Sequence, residues 1–96
     1  YEEVISYELV DAGLNFTRQQ GIPVRYMNRQ LDLGFRSDII VENKVIIEIK
    51  SVEVLAPVHH KQLLTYLRLA DIKLGLLVNF NVELIKNGIF RIVNKL

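Results

Sequence analysis

Cysteine is absent from this 96-residue chain, tryptophan is absent too, and proline occurs only twice. Without cysteine there can be no disulfide framework, no Cys-ligated zinc, no iron–sulfur cluster and no thiol nucleophile. A chain that uses no disulfides is typical of a reducing compartment, so we expect a cytoplasmic location.

The chain also has almost no net charge and no long apolar run. The 12 Lys and Arg residues against 11 Asp and Glu residues leave a formal charge of +1, which excludes nucleic-acid binding by bulk positive charge; any such surface must be local. The longest uncharged stretch, residues 74–82, is far shorter than the roughly 20 residues that span a bilayer. The acidic N-terminus is unlike a signal peptide, so we expect no membrane partner.

One compact domain over residues 1–96 is the expected organisation. The length allows one modest core, and no repeat or linker-like composition interrupts the chain. Because the chain starts at Tyr1 and not at Met, we expect it to be a piece of a longer parent that lacks the N-terminal part of its first helix.

Apolar periodicity predicts an α/β domain in which helices cover a sheet. The predicted elements are a helix over 2–12, a strand over 16–26, a turn over 28–32, strands over 35–41 and 45–52, a helix over 57–71, and strands over 74–80 and 89–93. Gly13 is placed to end the first helix, and Pro57 suits the first turn of the second. Gly21 and Pro23 make the first strand edge-type. The order is therefore α-β-β-β-α-β-β.

The two β-branched strands over 35–41 and 45–52 carry the candidate chemistry. A turn over 42–44 would set the aliphatic residues of one strand opposite those of the other and so make one face wholly aliphatic. The same register places Asp38 opposite Glu48, with Lys50 on their face. The pattern therefore predicts a cluster of two carboxylates and one amine.

Two opposed carboxylates of this kind suit a hard divalent cation. Directly opposed strand residues have Cα atoms about 4.5 to 5.5 Å apart, which lets Asp38 and Glu48 share a Mg²⁺ or Mn²⁺ ion. Without a cation, one carboxylate would be driven to hold a proton, and Lys50 would offset part of the charge. The alternative is a solvated charge cluster on a sheet face, since the bare pattern often occurs by chance.

Asp38 together with Glu48-Ile49-Lys50 on neighbouring strands resembles the PD-(D/E)XK nuclease superfamily. Further stretches resemble the bacterial GxxExxY proteins, namely residues 34–38, 45–52, 59–67, 75–80 and 88–93. Tyr1 resembles the final Tyr of the GxxExxY signature, whose Gly and Glu would precede residue 1. The resemblance implies a restriction-endonuclease-like core, a central mixed sheet flanked by helices, and nuclease activity.

Gln62 and Tyr66 lie four residues apart and therefore share a helix face. Their spacing resembles the helix motif of RecB-like members of the superfamily. This resemblance implies that Gln62 approaches the metal site and that Tyr66 approaches the nucleic acid or supports the scaffold. A Gln and a Tyr at a helix boundary are also unremarkable as structural residues.

Two further residues have open roles. Glu8 lies on the apolar stripe of the first helix, where it either joins the metal site or reaches solvent or an Arg. Arg36 shares the face of Asp38, where it either meets a phosphate or pairs with an acid.

The sequence supports two hypotheses about function. The first is a Mg²⁺- or Mn²⁺-dependent nuclease that hydrolyses phosphodiester bonds, with DNA expected ahead of RNA. Its catalytic residues would be Asp38, Glu48, Lys50 and Gln62, with the Ile49 carbonyl as a further metal ligand. The second is an inactive nuclease-like module that binds nucleic acid or a protein partner, a second copy of the chain included.

Overall fold

A mixed five-stranded sheet lies between two helices. The structure is a computed structural model that describes residues 1–82 and 85–95, with the backbone alone described at residue 85. Its elements are α1 (Glu2–Asp11), β1 (Phe16–Gly21), β2 (Val24–Tyr26), β3 (Arg29–Leu31), β4 (Arg36–Val41), β5 (Val45–Lys50), α2 (Pro57–Ala70), β6 (Leu74–Asn79), a 3-10 helix (Ile85–Gly88) and β7 (Ile89–Val93). No helix in the described ranges is long and apolar enough to cross a membrane.

The order of strands in the main sheet is β1-β4-β5-β6-β7, and β2 pairs with β3 in a separate hairpin. β5 and β6 run parallel because α2 connects them as a crossover, while the other neighbouring pairs are antiparallel. The predicted class, an α/β domain with a mixed sheet flanked by helices, is confirmed.

The two faces of the sheet bury two separate apolar clusters. On one face, strand residues Ile39 and Ile47 pack with Ile5 and Leu9 of α1. On the other face, Ile40 and Ile46 pack with Leu63, Tyr66 and Leu67 of α2. Side chains alternate along a strand, so Asp38 and Glu48 share the face that α2 covers.

The predicted pairing of the two central strands is confirmed. Val41 lies opposite Val45 and Ile39 opposite Ile47. The turn between them uses positive φ angles at Glu42 and Asn43. Continuing this register by one residue brings Asp38 opposite Glu48.

The predicted strand over 16–26 and turn over 28–32 are wrong in their bounds. β1 stops at Gly21, and Pro23, which has no backbone N–H to donate, precedes a separate short strand. The turn lies earlier than predicted, at Met27 and Asn28, whose positive φ angles make a tight hairpin turn. β3 therefore occupies most of the predicted turn.

Sequence signals correctly predicted the end of α1 and the start of α2. Gly13 has a φ of +74° just beyond α1, as a glycine C-cap requires. Pro57 opens α2, and the His59 Nδ1 accepts a hydrogen bond from the Ala56 backbone N–H at 2.9 Å. This bond gives His59 a capping role and satisfies one of the free amides at the start of the helix.

Candidate active site

Asp38 and Glu48 are held in place by the backbone of the opposite strand. The Asp38 N–H donates to Glu48 Oε1 at 3.0 Å, and the Ile49 N–H donates to Asp38 Oδ2 at 2.8 Å. Each carboxylate thus accepts a hydrogen bond from the strand that carries the other. The two acids predicted to form the site are adjacent, and their orientation is fixed by the sheet.

Glu48 is buried, with only 4% of its surface exposed. Burial raises its pKa from the usual 4.5 to about 7, and the nearby charges of Asp38 and Glu2 act in the same direction. The hydrogen bond from the Asp38 N–H and the charge of Lys50 oppose this rise. The Glu48 carboxyl therefore loses its proton close to neutral pH.

Lys50, Gln62 and Tyr66 form a chain of polar contacts from β5 to α2. The Lys50 ammonium lies 3.5 Å from Gln62 Oε1, and Gln62 Nε2 donates to the Tyr66 hydroxyl at 3.1 Å. Burial is the main cause of a raised pKa at Tyr66, with a further contribution from the charge of Glu48. The four predicted residues Glu48, Lys50, Gln62 and Tyr66 therefore face one another across the strand and the helix.

Residues 1–92 match the family model described as the PD-(D/E)XK nuclease superfamily. The chain belongs to this superfamily. The match confirms the resemblance drawn from Asp38 and the Glu48-Ile49-Lys50 motif, and the fold is consistent with a restriction-endonuclease-like core. No curated protein and no solved structure matches the chain.

PD-(D/E)XK nucleases generally use divalent metal ions, and the residues present suit such an ion. The described ranges contain no group of three or more His, Cys, Asp and Glu side chains arranged to hold a metal. Mg²⁺, however, keeps several waters and needs only one or two carboxylates from the protein. Asp38 and Glu48 supply these two, and a bound cation would compensate the desolvation that now opposes ionisation of Glu48.

Arg36 lies at the start of β4, and its guanidinium contacts Asp32 at 3.4 Å. Both side chains are largely exposed, so this ion pair contributes little stability. Of the two roles left open for Arg36, the structure shows the pairing with an acid.

Glu8 is exposed on α1, and the structure does not bring it to the cluster. The apolar stripe that suggested a buried position is narrower than predicted, because Ile5 and Leu9 contact the core while Val4 is exposed. The acid that α1 brings near the site is Glu2, whose charge raises the pKa of Glu48.

Gln19 connects this acid of α1 to the site. Its side-chain amide donates to Glu2 Oε1 at 2.7 Å and to Asp38 Oδ1 at 3.2 Å. Arg18 holds the other carboxylate oxygen of Glu2 at 2.7 Å. Gln19 also has a φ of +51° in the middle of β1, opposite Asp38, a conformation that costs a residue with a side chain about 1 kcal/mol or more.

Sequence reasoning did not identify Glu2, Arg18 or Gln19. The one available signal was register: if β1 pairs with β4 so that Arg18 faces Ile39, then Gln19 falls opposite Asp38. That pairing joins residues far apart in sequence, and the left-handed conformation of Gln19 leaves no trace in the hydrophobic pattern.

Proposed function

We propose that this chain is the core of a metal-dependent nuclease of the GxxExxY type, which hydrolyses phosphodiester bonds of nucleic acid. The observation that carries the proposal is that the Asp38 N–H binds the Glu48 carboxylate while the Ile49 N–H binds the Asp38 carboxylate. These two bonds hold both carboxylates beside each other, with Lys50 close by. A solvated charge cluster would not bury one of its acids and raise its pKa to about 7.

Asp38, Glu48 and the Ile49 carbonyl would hold Mg²⁺ or Mn²⁺, with water and a phosphate oxygen as the remaining ligands. A metal bound there supplies Lewis-acid polarisation of the phosphate and lowers the pKa of a bound water. Glu48 must give up its proton before it can bind the metal, so the site loads as the pH rises through about 7.

Lys50 would stabilise the negative charge that develops on the reacting phosphate. Gln62 orients the Lys50 ammonium through its Oε1, and Tyr66 fixes the amide of Gln62 from the other side. Arg36 lies two residues before Asp38 at the same end of the strand pair, where it can bind a neighbouring phosphate.

The proposal of the GxxExxY subclass depends on Tyr1. Tyr1, which resembles the last residue of the GxxExxY signature, stacks its ring on Phe80 with centroids 4.2 Å apart. This stacking ties the start of α1 to the end of β6. We propose DNA as the first substrate to test, with RNA in parallel.

The experiment is a cleavage assay with supercoiled, linear and single-stranded DNA and with RNA, in Mg²⁺, Mn²⁺ or EDTA. We expect metal-dependent cleavage that falls about 100-fold or more in Glu48→Gln and Lys50→Met, because each removes charge from the reacting centre. Glu42→Gln and Lys44→Met are matched controls in the exposed turn of the same hairpin and should cleave like the wild type.

Inactivity of the wild type on all these substrates, with every metal, would contradict the proposal. Calorimetry then separates the alternatives. Saturable Mn²⁺ binding that Glu48→Gln abolishes would leave a metal site that serves a different reaction. Oligonucleotide binding without metal binding would instead indicate the inactive nucleic-acid module.

A further inference from the structure

The β2–β3 hairpin stands apart from the rest of the fold. It forms its own two-stranded sheet, and residues 24–31 belong to neither of the two apolar clusters described above. Five of its six strand residues are exposed, and Val24 is half-buried. An isolated two-stranded hairpin is only marginally stable in water, so this one adds little to the stability of the domain.

The hairpin is attached at the end of the sheet that carries the candidate active site. Its root is the pair Ile22 and Phe35, joined by a hydrogen bond of 2.8 Å from the Ile22 N–H to the Phe35 carbonyl. Phe35 is three residues from Asp38, about 10 Å along an extended strand. Because β5 runs antiparallel to β4, Lys50 lies at this same end. The root of the hairpin therefore lies at the same end of the β4–β5 pair as the candidate site.

One face of the hairpin combines aromatic, apolar and basic side chains. Tyr26 lies opposite Arg29, and both side chains line a surface cleft of about 410 Å³ together with Met27 and Leu31. Tyr26 is 64% exposed and Met27 78% exposed. Arg25 points to the opposite face of the hairpin, since it neighbours Tyr26 along the strand.

The charge of the cleft is positive. Among the ion pairs of the described residues, neither Arg25 nor Arg29 takes part, whereas the nearby Asp32 is engaged by Arg36. An exposed aromatic ring beside an arginine is the combination that binds single-stranded nucleic acid, with a base stacked on the ring and a phosphate on the guanidinium.

The turn residue Met27 is an independent indication that this surface serves contact. Its φ is +49°, and Asn28 follows at +64°. Such turns favour Gly or Asn at both positions, because a larger side chain pays a steric penalty there. A long apolar side chain at the first position is unfavourable for the turn itself, as expected where contact with a ligand determines the residue.

We propose that the β2–β3 hairpin is a substrate-binding arm that takes an unpaired stretch of nucleic acid in its cleft, with a base on Tyr26 and a phosphate on Arg29. The proposal rests on the proposed nuclease function for its choice of ligand, but it concerns a surface outside the metal site. Binding at the arm needs no metal and can be measured separately from cleavage.

The test is fluorescence anisotropy with a labelled oligothymidine and a duplex of equal length, in EDTA and over a series of salt concentrations. Tyr26→Ala should weaken binding of the single strand about 10-fold or more through loss of base stacking. Arg29→Gln should weaken it and lower the slope of log affinity against log salt by about 0.7, the value for one phosphate contact on a single strand.

Arg25→Gln is the matched control, because it removes the same charge from the opposite face of the hairpin. It should bind the single strand like the wild type. Met27→Gly provides a variant that should keep or raise the melting temperature, since glycine tolerates the positive φ, and yet weaken binding. Circular dichroism melting of every variant confirms that each one is folded.

The possible results separate the arm from the nuclease. Equal affinity of wild type, Tyr26→Ala and Arg29→Gln would overturn the arm, and so would equal losses in Arg25→Gln and Arg29→Gln or an effect on the duplex alone. Wild type that binds no oligonucleotide would also overturn it. Binding that depends on the cleft, in a protein that cleaves nothing with any metal, would support the arm while contradicting the nuclease.

Discussion

Glu48 combines burial with a pKa of about 7, and this makes the protein sensitive to pH in a direction opposite to that of a carboxylate in an ion pair. In the unfolded chain Glu48 loses its proton near 4.5, whereas the folded protein retains it up to about 7. Between these values the folded state binds more protons, so the metal-free protein loses stability as the pH rises.

We therefore expect Glu48→Gln to be more stable than the wild type at pH 8, by about 3 kcal/mol at most, because glutamine carries no charge to bury. At pH 4 the two proteins should be nearly equal. Urea denaturation at both pH values in EDTA measures the difference, with Glu42→Gln as the exposed control. A difference that is the same at both pH values would show that Glu48 titrates normally.

Gln19 offers a second test at the level of one residue, since its backbone is strained and its side chain bridges Glu2 and Asp38. Gln19→Gly removes the steric cost of the positive φ and also removes the bridge. We expect little change in the melting temperature and a fall of about 10-fold in Mn²⁺ affinity, because partners that orient metal ligands commonly contribute that much.

Gln20→Gly is the matched control for Gln19, because Gln20 is the next residue of the same strand and has no positive φ. It should lose about 1 kcal/mol of stability and keep its Mn²⁺ affinity. Equal affinities in the two variants would show that the Gln19 bridge does not affect the metal site.

Among the elements, the contact between α2 and β6 sets the distance between Gln62 and Lys50. Gly75 makes that contact possible, since a Cβ at residue 75 would lie 3.0 Å from the Leu63 side chain. Leu63 follows Gln62 directly and lies less than one helical turn before Tyr66. A displacement of α2 at Leu63 therefore also moves Gln62 and Tyr66.

Gly75→Ala should therefore cost about 1 to 3 kcal/mol of stability through overpacking and should reduce any cleavage activity as well. The double variant with Leu63→Ala should lose less than the sum of the two single losses, because the clashing methyl groups are gone. Chemical denaturation of the four proteins gives this coupling. If the stability losses of the two single variants add up to that of the double variant, then Leu63 does not pack against residue 75.

How well each element could be predicted depends on whether it carries a buried pattern. β4 and β5 bury an aliphatic face, so their register and the meeting of Asp38 with Glu48 followed from the sequence. β2 and β3 bury almost nothing, so no alternation marked them and a turn was predicted in place of β3. The helix period predicts only that Gln62 and Tyr66 share a face, and the position of Gln62 beside the site is implied by the resemblance to the RecB-like helix motif.

At the scale of the whole molecule, the near-zero net charge conceals an uneven distribution. The acids Glu2, Asp38 and Glu48 converge at the end of the sheet where β4 begins, and Arg18 and Lys50 partly compensate them. Arg25 and Arg29 are both exposed on the β2–β3 hairpin. The convergence was only partly predictable, because it includes contacts such as Glu2 with Gln19 that bridge two elements through one left-handed residue.

The irregular residue in β1 also affects how this sheet meets other chains. β1 is an edge strand, and an edge strand with regular geometry exposes a row of unpaired backbone groups that can template the strand of another molecule. The left-handed turn of the backbone at Gln19 interrupts that row near its middle. The strain that positions the acids of the site thus also protects this edge, and a variant whose β1 became regular would gain a surface for self-association.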